Sequence, residues 1–299
     1  MEDEPTWAAH VGPSGALKFI LVAALVIWLY WDQVYRMFMY WQNPDWSHGF
    51  LIPVFCLYMI HLRKRPILEA PKTGSWVGLA VAAGSIALYV ECVRIKIGYP
   101  QALSIVTLIA GLVLFLFGWR ILKLTAFPIA FLLLAIPPPE RLYRAFTQPL
   151  QQGAARVAAI VLNTITSGEI EQDGINLAYY MPGGRTGMFT VAGACSGMRS
   201  LMAFVALGLA MAYFSPRPTW HRIAMAVLVV PVALFCNVVR VVVTGAFQMY
   251  QKGDLASGTP HMVLGLGMFA LGFVIYLGFL WVLDHIYVDE APEAKGAAA

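Results

Sequence analysis

Charge is what this sequence has least of. Only 12% of its 299 residues are Asp, Glu, Lys or Arg, about half the share of a soluble domain, which excludes an ordinary water-soluble globule. Cysteine is scarce too. Cys56, Cys92, Cys195 and Cys236 show no CxxC or metal-ligand spacing, which excludes a disulfide scaffold and a zinc module. Paired His or carboxylate ligands such as HExxH are missing, so a metal-dependent intramembrane protease has nothing to hold its ion; neither metal nor cofactor is expected. No internal repeat occurs, and no low-complexity segment beyond the alanine-rich tail. No small-residue cleavage site follows the first apolar run, and its leading flank, MEDEPTWAAH, is acidic. That run is expected to stay as a span. A net charge of +4 is no electrostatic footprint for nucleic acid.

What the chain does have is apolar length. Hydrophobic residues make up 60% of it, gathered in long blocks with almost no charge, the pattern of membrane-spanning helices. Eight spans are expected: Ala16–Trp31, Ser47–Leu62, Ser75–Val93, Gln101–Gly118, Ile121–Ile136, Cys195–Phe214, Trp220–Tyr250 and His261–Ile286. The chain is therefore expected to be an all-α polytopic membrane protein. Its single transmembrane domain covers 16–288, between cytoplasmic tails at 1–15 and 289–299. Basic residues orient it. With the N-terminus inside, short inner loops hold Arg63, Lys64, Arg65, Lys72, Arg120, Lys123, Arg217 and Arg222, against Arg36, Arg94 and Lys96 outside.

One large extramembrane piece is expected on the outer side, 137–194. It opens on PPPE, which stops a helix because proline lacks a backbone donor. ERLYRAFTQPLQQGAARVAAIVLNTIT then repeats apolar residues at helical spacing beside Arg141, Arg144 and Arg156. This predicts an amphipathic helix at the outer interface, interrupted near Pro149. PGGR between LAYYM and TGMFTV reads as a β-hairpin tip just before the sixth span.

The hairpin delivers the chain to GACSGMRS, Gly193–Ser200. Cys195 is expected at the outer start of the sixth span. Gly193 and Gly197 shield its sulfur little, and a helix N-terminus or nearby cation lowers a thiol pKa; the bland alternative is an inert core thiol. Arg240 lies twenty residues beyond Trp220, hence ~30 Å up the seventh span, about one hydrocarbon thickness. It stands inside FCNVVRVVVTGAF, where a charge is costly and points to function, although an arginine near an interface can also snorkel. His261 opens the eighth span after Thr259 and Pro260, where it could be a helix-start residue only. Together the three match nucleophilic catalysis: a thiolate, a base able to protonate a leaving amine, and a fixed cation for an oxyanion.

At these residues the chain resembles the exosortase/archaeosortase family of membrane cysteine transpeptidases. The matching stretches are ACSGMRSL (Ala194–Leu201), NVVRVV (Asn237–Val242) and PHMVLG (Pro260–Gly265), with WSHGFLIP (Trp46–Pro53) and IPPPE (Ile136–Glu140) upstream. The resemblance implies Cys195 as nucleophile, His261 as acid/base and Arg240 as oxyanion stabiliser. Arg199, His48 and Asn237 are substrate-binding candidates; for Arg199 an interfacial anchor, and for His48 a structural role, stay open. Substrates would be membrane-anchored exported proteins whose C-terminal sorting signals (PEP-CTERM-like) carry a motif, a transmembrane helix and a basic tail. Their cleavage would occur at the outer face of the inner membrane through a thioacyl-enzyme. The competing expectation is a non-enzymatic transporter or flippase that uses Arg240 and His261 on an anionic substrate. It leaves the cysteine unexplained, and it calls for a symmetry between halves that the sequence lacks.

Overall fold

The computed structural model describes residues 7–191, 197–250 and 258–286. The chain divides into two compact units, Met1–Tyr143 and Arg144–Ala299.

In the first unit α1 (Trp7–Leu29) and α2 (Trp31–Trp41) lead into a 3-10 segment, Pro44–Phe50. Then come α3 (Leu51–Leu62), α4 (Lys64–Glu69), α5 (Trp76–Arg94), α6 (Gly98–Phe117) and α7 (Trp119–Phe131), which tightens to 3-10 at Leu132–Ala135. Glycine lets α5 and α6 touch backbone to backbone: a Cβ on Gly111 would stand 2.7 Å from the Ala82 nitrogen. Small residues allow spans this close an approach. Gly118 ends α6 at φ 86° with the Thr73 carbonyl against it, a place open only to a residue without Cβ. Several polar side chains buried here pair with one another. Ser104 Oγ lies 3.1 Å from Tyr30 Oη and Ser85 Oγ 2.8 Å from Thr107 Oγ1, and Gln101 joins Arg36 (2.6 Å) to the Cys92 carbonyl (2.8 Å). Paired buried groups of this kind specify packing.

The second unit holds most of α8 (Glu140–Ile165), a three-stranded sheet and three long helices. The sheet is the antiparallel meander β1 (Glu169–Asp173), β2 (Asn176–Met181) and β3 (Arg185–Thr190). The expected hairpin is there, its tip turned by Gly183 and Gly184 at φ 96° and 81°; β1 extends it. Period-2 alternation points Ile170, Leu177, Met181 and Phe189 into one core with Leu162 of α8. The helices α9 (Gly197–Phe214), α10 (Thr219–Met249) and α11 (Gly258–Ile286) follow. They share a core of Phe204, Val229, Val232, Ala233, Cys236 and Tyr276.

Two expectations need correction. The count of eight spans is not confirmed by length and composition: among the described residues five helices are long and apolar enough to cross a membrane, or six if Trp119–Ala135 and Glu140–Ile165 form one broken span. The second apolar run loses its start to the 3-10 turn, leaving α3 twelve residues, ~18 Å long. The 3-10 turn at Leu132–Ala135 shortens the fifth, and the apolar part of α9 is Leu201–Phe214. Nor is α8 interrupted at Pro149; it is helical from Glu140 to Ile165. Its alanine stripe, Ala154, Ala155, Ala158 and Ala159, is buried in the same core as Val241 and Met249 of α10. This packing supports the helix across the bond that proline removes.

The span-length helices show large apolar side chains on their outsides, among them Phe19, Leu21, Trp76, Val227 and Leu266. Their backbone groups are bonded within each helix, as a hydrocarbon environment requires. The chain is a multi-pass transmembrane protein.

Candidate active site

The register of α10 against its neighbours can be read from point contacts. Along α11, Gly265 faces Arg240 and Gly272 faces Cys236. Further down, Tyr276 Oη donates to the Met225 carbonyl (3.1 Å), and Asp284 Oδ1 lies 3.1 Å from His221 Nε2 and 3.2 Å from Arg217 Nε. The two helices thus run antiparallel in one register from His221 to Arg240. Along α9, Gly208 faces Val229, and Leu201 lines a cleft with Ala233, Leu234 and Asn237. Continuing that antiparallel pairing one turn brings the first residue of α9, Gly197, to the level of Arg240 and Val241.

Arg240 is 7% exposed. Its guanidinium lies against Gly265, Nη2 nearest: a Cβ there would stand 2.9 Å from Nη2, 3.3 Å from Cζ and 3.6 Å from Nη1. Glycine at 265 is what lets the cation enter between the helices. His261 is one turn before Gly265 on the same face of α11. Arg240, the first turn of α9 and the first turns of α11 are therefore brought together within one unit. Cys195 lies outside the described residues, two positions before α9; the side chains of Arg199 and His261 are likewise outside them.

Asn237 and Thr244 continue the face of α10 that carries Arg240, at i−3 and i+4. Asn237 Oδ1 and Thr244 Oγ1 are buried and have no hydrogen-bond partner among the described residues. Asn237 edges a cleft of about 20 Å³, room for about one water. Thr147 and Gln151 of α8 form its far wall. Beyond Arg240 the sheet closes over α10: Phe189 of β3 and Leu162 of α8 meet at Gly245, where a Cβ would be 2.7 Å and 2.9 Å from them. Thr147, Gln151 and Thr244 were missed in the sequence. The spacing of Asn237, Arg240 and Thr244 was the available signal for Thr244; nothing local marks the two residues of α8.

His48 belongs to the first unit, in the 3-10 turn before α3. Its ring centroid is 5.7 Å from that of Trp46, which is itself 5.9 Å from Tyr143. Burial holds its imidazole below the ordinary histidine value, toward the neutral form. At the far end of the α10–α11 pair, His221, Asp284 and Arg217 form a charged group that the sequence had not linked.

Among known families, residues 40–278 match the model of the transmembrane exosortase family. No curated protein and no solved structure matches the chain. The match takes in α3 to most of α11, including the Cys195 stretch, Arg240 and Gly265, and the chain belongs to the transmembrane exosortase family.

Proposed function

We propose that the protein is a membrane-embedded cysteine transpeptidase that cleaves C-terminal sorting signals of exported proteins at the outer face of the inner membrane. The observation that carries this reading is the buried Arg240 guanidinium against Gly265, one helical turn from position 261 and level with the start of the helix that follows Cys195.

The Cys195 thiolate attacks the carbonyl carbon of the scissile peptide bond, and the carbonyl oxygen takes up the negative charge. Arg240 donates to that oxyanion from a site with little water to screen it. His261 gives a proton to the leaving amine, the C–N bond breaks, and a thioester remains on Cys195. An acceptor amine or water then attacks the thioester, His261 takes its proton, and the thiolate leaves. The sheet and α8, packed over the Gly245 end of α10, support a roof that limits water at this mouth. Asn237, Arg199 and His48 are the residues assigned to substrate binding. The substrate's transmembrane helix would lie in the lipid beside the bundle with its motif turned into the site.

The test replaces Cys195 with Ala or Ser in cells expressing a tagged protein with a motif, transmembrane helix and basic tail at its C-terminus. C-terminal processing is expected to stop while the variant stays at normal level in the membrane. Continued processing would make Cys195 a packing residue. It would return Arg240 to the transporter reading, in which the cation binds an anionic cargo.

A further inference from the structure

Hydroxyls on the helices of this protein are usually satisfied one turn back. Ser85 donates to the Val81 carbonyl (2.8 Å), Thr125 to Ile121 (2.9 Å) and Thr164 to Ile160 (2.8 Å). This local bond is the ordinary fate of a hydroxyl on an apolar helix. Thr244 departs from it. The residue is 1% exposed, and Oγ1 has no hydrogen-bond partner among the described residues. A buried hydroxyl without a partner is destabilising, and valine would fill the same space without that cost.

The position of Thr244 indicates what the hydroxyl serves. It is one turn beyond Arg240 on the same face of α10. The register that pairs His221 with Asp284 and Arg240 with Gly265 advances one residue on α10 for each residue back along α11. One more turn brings position 261 level with Thr244. The site described above needs an acid/base whose ring nitrogens have separate tasks, one facing the reaction and one held by a partner.

We propose that Thr244 is a positioning residue: its hydroxyl bonds one ring nitrogen of His261 and so fixes the tautomer that works on the substrate. This rests on the reading of His261 as acid/base given above. Oγ1 accepts from a ring N–H, leaving the other nitrogen to exchange protons with the leaving amine and the incoming acceptor. Such bonds often tighten only once substrate is bound, in keeping with an unpartnered Oγ1 in the resting protein. The hydroxyl acts through the imidazole and takes no part in bond making.

The spectra are recorded on the full chain in lipid nanodiscs with ¹⁵N-labelled histidine, in a Cys195→Ala background with the tagged substrate co-reconstituted, comparing wild-type Thr244, Thr244→Val and Thr244→Ser. The His261 resonances are identified by their loss in His261→Gln. The expected wild-type spectrum has one dominant His261 tautomer at neutral pH, kept in Thr244→Ser. Thr244→Val mixes the tautomers, lowers the processing rate of the tagged substrate about tenfold, and leaves the melting temperature unchanged or raised. A His261 spectrum unchanged in Thr244→Val overturns the proposal, as does a rate within twofold of wild type. A lowered melting temperature in Thr244→Val that Ser fails to restore also overturns it, in favour of a packing role. Processing that survives Cys195→Ala would instead overturn the functional reading, and the spectrum would still decide whether Thr244 holds the ring.

Discussion

An arginine can be held between two apolar helices only where the facing helix leaves a space for it, and Gly265 leaves that space. The Cβ of Gly265→Ala would stand 2.9 Å from Nη2, inside ordinary contact distance. Because the atom displaced is the end of a flexible side chain, the fold would lose little. In the mechanism proposed above, the guanidinium would however shift by several tenths of an ångström from its place beside the oxyanion, and displacements near 1 Å can cost about a hundredfold in rate. Gly265→Ala is therefore expected to process the tagged substrate roughly tenfold more slowly at unchanged membrane level, and Gly265→Val more slowly still. Wild-type rates in both, measured by pulse-chase, would show that the position of the cation does not matter. Arg240 was legible in the sequence because a charge inside FCNVVRVVVTGAF stands out by its cost. Gly265 was visible only as the last residue of PHMVLG, one of 26 glycines, with nothing to say that it faces the arginine. Thr244 was hidden for another reason: a threonine on an apolar helix is assumed to bond its own backbone, and only the structure shows that this one does not.

At the scale of elements, the site depends on α10 and α11 keeping one register over nearly the whole length they share. Most of their contact is apolar and rich in small residues, so it resists sliding weakly. The specific polar contacts are the bond from Tyr276 to the Met225 carbonyl and the group of Arg217, His221 and Asp284. Asp284 and Arg217 are partly exposed, and such pairs contribute ~0–1 kcal/mol. His221 is buried, and losing its carboxylate neighbour adds to the cost. Asp284→Ala is expected to lower the melting temperature by a few degrees and slow processing as the register loosens. Asp284→Asn, which keeps a polar group beside His221, is expected to recover part of both. Differential scanning fluorimetry in detergent, run beside the processing assay, checks this; an unchanged melting temperature would remove the group from the register argument. The sequence placed these helices well, since each has a long apolar run with clear ends. It marked α8 as an amphipathic helix but not the face it buries, because its alanines read as neither strongly apolar nor polar. Their value is close approach to α10, and that exists only in the presence of the partner helix.

For the whole molecule, the question is which side of the membrane the site faces. Since α9, α10 and α11 run alternately antiparallel, the end carrying Arg217 and Arg222 and the level carrying Arg240 are separated by more than half the length of α10. Nineteen residues part His221 from Arg240, ~28 Å and close to one hydrocarbon thickness. At the first end, Arg222 also caps α9 through the Ala212 and Tyr213 carbonyls (2.6 and 3.2 Å), so its charge is held there by structure as well as by lipid preference. The bias of Lys and Arg in short loops predicts that end in the cytoplasm, the orientation on which the proposed function rests. Arg185, exposed beside the tip of the sheet, and Thr219, exposed at the start of α10, then lie on opposite sides. Each is to be replaced by cysteine in a Cys195→Ala background, where Cys56, Cys92 and Cys236 are buried. A membrane-impermeant maleimide added to cells with a permeabilised outer envelope is expected to label Arg185→Cys at once. Thr219→Cys should be labelled only after the inner membrane is broken. The reverse pattern would turn the site toward the cytoplasm, where exported substrates carrying a C-terminal anchor do not present their motif. In that case Arg240 would be better explained by an anionic cytoplasmic cargo than by an oxyanion.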